Sequence, residues 1–121
     1  MTASRGAVDP AAIDTLLDMV GGDEAFLTEL VETFLEDAVT QLAAMRAALA
    51  ADDAEALVRP AHSMKTNSAN MGATVLAGMC RELEADARLG SLAGADARVA
   101  EAEGEFGVVA TELREILAAR A

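Results

Sequence analysis

From Phe26 to Leu49 an apolar residue returns every three or four positions: Phe26, Leu27, Leu30, Val31, Phe34, Leu35, Ala38, Leu42, Met45 and Leu49. A strand needs alternation with a period of two, whereas this spacing lines one face of a helix over about seven turns. Glu29, Glu32, Glu36, Asp37 and Arg46 fall on the opposite, solvated face. Elsewhere no run alternates β-branched and polar residues between turn signals, so nothing suggests a sheet. The chain has no Trp or Tyr and only 3 Phe although 53% of it is apolar. Its core is therefore built from Ala, Leu, Val and Met, which favours packed helices. The expected class is all-α.

The remaining elements follow from caps and breakers. Residues 1–8 lack periodicity and read as a flexible N-terminal tail, leaving 9–121 as one domain with a single core. Asp9 before Pro10 is an N-cap followed by proline at the first helical position, and Ile13, Leu16, Leu17 and Val20 form the stripe of a short helix ended by Gly21-Gly22. Asp23 caps the long helix. Asp52 and Glu55 have capping-box spacing and start a third helix, which Pro60 is expected to bend and Gly72 to end. A fourth helix is expected from about Thr74 to Leu89, with Leu76, Met79, Cys80, Leu83 and Ala87 inward and Arg81, Glu82, Asp86 and Arg88 outward. The last runs from about Leu92 to Ala119, weakened by Gly104 and Gly107 at about 1 kcal/mol each relative to Ala. Short connections make successive helices antiparallel, which gives an up-down four-helix bundle with an additional short N-terminal helix.

Charge and composition exclude several functions. A net charge of −12 disfavours nucleic acid and anionic membranes, both of which are bound through Lys and Arg. No apolar run approaches the roughly 18 residues of a membrane helix, and no signal-peptide core is present. The single cysteine, Cys80, rules out an internal disulfide and fits a reducing compartment, so a cytoplasmic protein is expected; the expected state is a monomer. Met1 and its short tail favour a free-standing chain.

The only histidine, His62, and the only lysine, Lys65, stand three residues apart within 26 residues, between Glu55 and Glu82, that contain no acid. On a helical wheel Leu57, Ala61, Met64, Ser68 and Met71 form the buried stripe, and His62 lies about 140° from its centre. Lys65 and Arg59 flank the histidine at about 60° on either side, and the small residues Thr66, Ala69 and Ala73 fall within about 40° of it. An exposed imidazole between two cations suits an anion-handling site open to another protein. A neutral imidazole can attack phosphorus through a ring nitrogen, and a nearby ammonium helps to hold the charged product. No carboxylate in the window can orient the ring or bind a metal, so further catalytic groups are expected from a partner. A di-metal carboxylate bundle would need Glu-x-x-His pairs on facing helices, and this chain lacks them.

The segment His62-Ser63-Met64-Lys65-Thr66-Asn67-Ser68-Ala69-Asn70-Met71-Gly72-Ala73 resembles the signature of histidine-containing phosphotransfer (HPt) domains. Gly21-Gly22-Asp23 with Phe26-Leu27 resembles the family's second-helix entry, and Cys80-Arg81-Glu82-Leu83-Glu84 its follow-on segment, so the likeness spans nearly the whole chain. Thr66 departs from the pattern, which most often has glycine there. The resemblance implies a four-helix bundle that exchanges a phosphoryl group with the aspartate of a response-regulator receiver domain in a two-component phosphorelay. A sensor or hybrid histidine kinase is a further partner. His62 would be the phosphoacceptor and Lys65 the phosphoryl-contacting residue, with Arg59, Thr66, Ala69, Asn70 and Ala73 available for docking. No cofactor is implied on this chain; Mg²⁺ would belong to the receiver. The protein would be a carrier and not an enzyme. The alternative is a docking adaptor of the same fold that carries no phosphate.

Overall fold

A computed structural model describes residues 6–120, which form five helices: α1 (Pro10–Met19), α2 (Glu24–Ala50), α3 (Ala54–Asn70), α4 (Thr74–Arg88) and α5 (Ala95–Arg120). No strand occurs among the described residues. α2 to α5 run up and down with short connections, and α1 packs against the end of the bundle where α3 turns into α4. The expected all-α bundle with one extra N-terminal helix is the fold observed.

The core repeats the periodicity of the sequence. Leu27, Val31, Phe34, Leu35, Ala38, Leu42 and Met45 of α2 meet Leu57, Ala61 and Met64 of α3, Leu76, Cys80 and Leu83 of α4, and Val99, Ala102, Val109 and Leu113 of α5. Phe34 and Phe106 touch edge to face, with centroids 6.2 Å apart. Phe26, at the start of the apolar run, stands outside this packing and is 46% exposed. Cys80 is completely buried, and burial pushes its thiol up to about 12, which makes it an inert core residue.

Helices α1 to α4 all end in one hydrogen-bond pattern, in which a residue in the left-handed region lets the following N–H donate back into the last turn. Gly21, Gly72 and Gly90 occupy three of these positions and Asp52 the fourth, at φ 53°. Asp53 N–H then donates to the Ala48 carbonyl and Asp52 N–H to that of Leu49. This corrects the start of α3. Asp52 is taken up in closing α2, and Asp53 is the N-cap, its carboxylate accepting the Ala56 N–H at 3.1 Å. Gly94, at φ 71°, likewise delays α5 from the expected Leu92 to Ala95.

The supposed tail is also corrected in part. Residues 1–5 lie outside the described residues, but Ala7 and Val8 are buried and Val8 N–H donates to the buried Glu112 carboxylate at 3.0 Å. Asp9 N–H next reaches the Gly72 carbonyl at 2.9 Å. A side chain at Gly72 would place its Cβ 2.8 Å from both Ala12 Cβ and the Asp9 carbonyl oxygen. Glycine here permits both the turn and the close approach of α1. By contrast, nothing lies within 4 Å of where a Cβ would stand at Gly104 or Gly107.

Candidate functional site

α3 passes through Pro60 without interruption and buries Leu57, Pro60, Ala61, Met64 and Ser68. Burying that stripe turns His62 outward, and its side chain is 52% exposed. The Ser68 hydroxyl, at the bottom of the stripe, has no hydrogen-bond partner among the described residues.

The histidine is not alone with its cations. The tight turn at Met71–Ala73 folds α4 back antiparallel on α3, which sets residue 84 opposite residue 62. Glu84 lies on the inner side of α4 between Cys80, Leu83 and Ala87, and its side chain is only 7% exposed. Its Oε2 lies 2.9 Å from His62 Nδ1, its Oε1 lies 2.7 Å from Lys65 Nζ, and Arg88 donates to Oε2 from Nε at 3.0 Å and Nη2 at 2.6 Å. A buried carboxylate unaided would tend to take up a proton. The Lys65 ammonium, reinforced by Arg88 and His62, reverses this and holds Glu84 down at about 2, against an ordinary 4.5.

The protonation of the ring follows. An ionised carboxylate can only accept hydrogen bonds, so the proton of the neutral imidazole resides on Nδ1 and points at Glu84. The lone pair is then on Nε2. Glu84 therefore selects the tautomer and fixes the ring plane, much as a carboxylate orients the histidine of a hydrolytic triad. The absence of acids between Glu55 and Glu82 is true along the chain and untrue in space.

Of the residues expected at the site, the structure brings together His62 and Lys65, and it leaves Arg59, Thr66, Ala69 and Asn70 exposed on α3. Lys65 is less free than expected, since its ammonium is engaged by Glu84. Ala73 does not belong to this surface. The wheel carried α3 beyond Asn70, but the turn at Gly72 ends it, and Ala73 is a wholly buried residue at the start of α4. Glu84 and Arg88 were missed. The signal was a glutamate in register with the apolar positions 80, 83 and 87, where a charge has no place unless something faces it.

Two hollows flank the histidine. One, between the first half of α3 and the end of α4, is lined by Glu55, Val58, Arg59, Ala87, Arg88 and Gly90. The other, of about 400 Å³, lies between Ala12, Thr15, Leu16 and Met19 of α1 and Ala69 and Asn70 of α3. Met19 is 75% exposed at its edge. Among the described residues no group of three or more His, Cys, Asp or Glu side chains is placed to hold a metal ion, and no helix is long and apolar enough to cross a membrane.

The model of the Hpt domain family matches residues 29–120, which include His62, Lys65, Glu84 and Arg88. A comparison with curated proteins gave no match. Among solved structures, the crystal structure of histidine-containing phosphotransfer protein B (HptB) from Pseudomonas aeruginosa PAO1 is similar at 38% sequence identity and a TM-score of 0.86, covering 94% of this chain and 96% of that one. An outward histidine on the second helix of a four-helix bundle, a family match over most of the sequence and a like fold at that identity lead to one conclusion: the chain belongs to the Hpt domain family of phosphotransfer proteins in two-component signalling.

Proposed function

We propose that His62 carries a phosphoryl group to and from the aspartate of a response-regulator receiver domain. The observation that carries this reading is the 2.9 Å contact between His62 Nδ1 and the ionised Glu84, which leaves the lone pair on Nε2 of a half-exposed ring. Nε2 attacks the phosphorus of the aspartyl phosphate and the N–P bond forms. The P–O bond to the aspartate breaks and its electron pair returns to that carboxylate. The imidazole becomes cationic while its Nδ1 proton stays in place, facing Glu84, so no proton has to move. The return transfer reverses these steps.

Lys65, about one turn along α3, helps to hold the transferred group, and Arg59, Thr66, Ala69 and Asn70 form the docking surface with the α1 groove. The residues at this site suit a carrier that is itself phosphorylated. In-line geometry and Mg²⁺ come from the receiver, and a sensor or hybrid kinase stands upstream. The buried, unpaired Cys80 suits a cytoplasmic setting.

Incubation with receivers carrying labelled phosphate tests the proposal. Wild type is expected to take up label in an acid-labile, base-stable form, and His62→Ala to take up none. Equal labelling of the two, or labelling of neither by any receiver, would leave a docking adaptor as the better description.

A further inference from the structure

Glu84 Oε2 is shared. It faces His62 Nδ1 at 2.9 Å and two N–H groups of Arg88 at 3.0 and 2.6 Å, while Lys65 occupies Oε1. The charged groups facing Glu84 are thus His62 and Lys65 from α3 and Arg88 from its own helix, while Arg59 lines the adjoining hollow with Arg88. A carboxylate oxygen offers about two lone-pair sites, so the three donors on Oε2 compete for them. Arg88 is held in place one helical turn beyond Glu84, with its side chain 58% exposed, so it lies within reach of solvent and of a docked protein.

We infer that Arg88 is a positioning residue that restrains the phosphoacceptor: by sharing Glu84 Oε2 it weakens the Nδ1–H bond and lowers the nucleophilicity of Nε2. A partner that draws Arg88 away would strengthen that bond at the moment of docking. This inference rests on the reading of His62 as phosphoacceptor, and it differs from a direct role for Arg88 at the phosphoryl group, which predicts the opposite sign.

The test uses the full chain with Arg88→Ala, Arg88→Lys, Glu84→Gln and the Arg88→Ala/Glu84→Gln double variant. Long-range ¹H–¹⁵N spectra report both ring nitrogens of His62, and labelled receivers report uptake. Arg88→Ala is expected to move the Nδ1 resonance downfield and to quicken uptake by roughly two- to threefold, with Arg88→Lys between it and wild type. In the Glu84→Gln background removal of Arg88 should no longer move Nδ1, because the shared oxygen has lost its charge. An unmoved Nδ1 in Arg88→Ala, an equal displacement with and without Glu84, or slower uptake would each overturn the inference. If no variant takes up label, including wild type, the phosphoacceptor reading fails, and the nitrogen spectra still decide whether Arg88 acts on the ring through Glu84.

Discussion

Glu103 and Glu84 are both carboxylates paired with arginine in this bundle, and they do different things. Glu103 of α5 meets Arg46 of α2 in a two-pronged pair, Nε to Oε2 at 3.0 Å and Nη2 to Oε1 at 2.7 Å. That is the better fork, yet both side chains are well exposed, and only the more distant Asp96 adds to it. Glu84 has the less regular geometry, with three donors converging on Oε2, but it is buried and reaches the one histidine. Arg46 holds Glu103 below the ordinary carboxylate range, and Lys65, with Arg88 and His62, holds Glu84 down at about 2. Fork geometry alone therefore does not mark the functional pair. What distinguishes Glu84 is that its carboxylate is buried and that one of its partners is a potential nucleophile.

The comparison is broken most severely at Glu84 itself. Glu84→Gln keeps an acceptor near Nδ1 but removes the charge that fixes the tautomer, and phosphoryl uptake from a receiver is expected to slow by about ten- to a hundredfold. Uptake at the wild-type rate would mean that the ring needs no orienting carboxylate.

Acid titration gives a smaller, graded effect. Glu84 has a folded-state value well below 4.5, so its interactions with Lys65, Arg88 and His62 favour the folded state fully above about 4.5 and cease to do so as the pH falls toward about 2. Denaturant midpoints of wild type and Glu84→Gln should therefore differ most near neutrality and converge across that window. A constant difference down to pH 2 would show that shape, and not ionisation, separates the two proteins.

The smallest effect belongs to the exposed pair. Arg46→Ala should move the melting temperature by no more than about 3 °C and leave uptake unchanged. A larger loss would show that the fork between α2 and α5 contributes more than its exposure suggests.

Much of this was legible in the sequence, and the reason lies in periodicity. The apolar run of α2, the caps Asp9 and Asp23, and the outward face of His62 all depend on neighbours within one or two turns. Glu84 depends on the turn at Gly72, which brings together residues 22 apart, so no local pattern announces the contact. Asp52 was misread because two helix ends compete for it: its spacing to Glu55 suits an N-cap, but α2 needs a residue in the left-handed region there. Ala73 was misassigned because a wheel has no endpoint, while α3 stops at Asn70. Thr66 remains the residue beside the histidine where this chain leaves the usual family pattern, and the structure keeps it exposed on α3.

The most direct measurement identifies the nitrogen that carries the phosphoryl group after transfer from a labelled receiver. With Nδ1 protonated against Glu84, phosphorylation is expected at Nε2 of His62, giving a single phosphohistidine isomer by ¹H–¹⁵N and ³¹P spectroscopy. A phosphoryl group on Nδ1, or on any residue other than His62, would contradict the account.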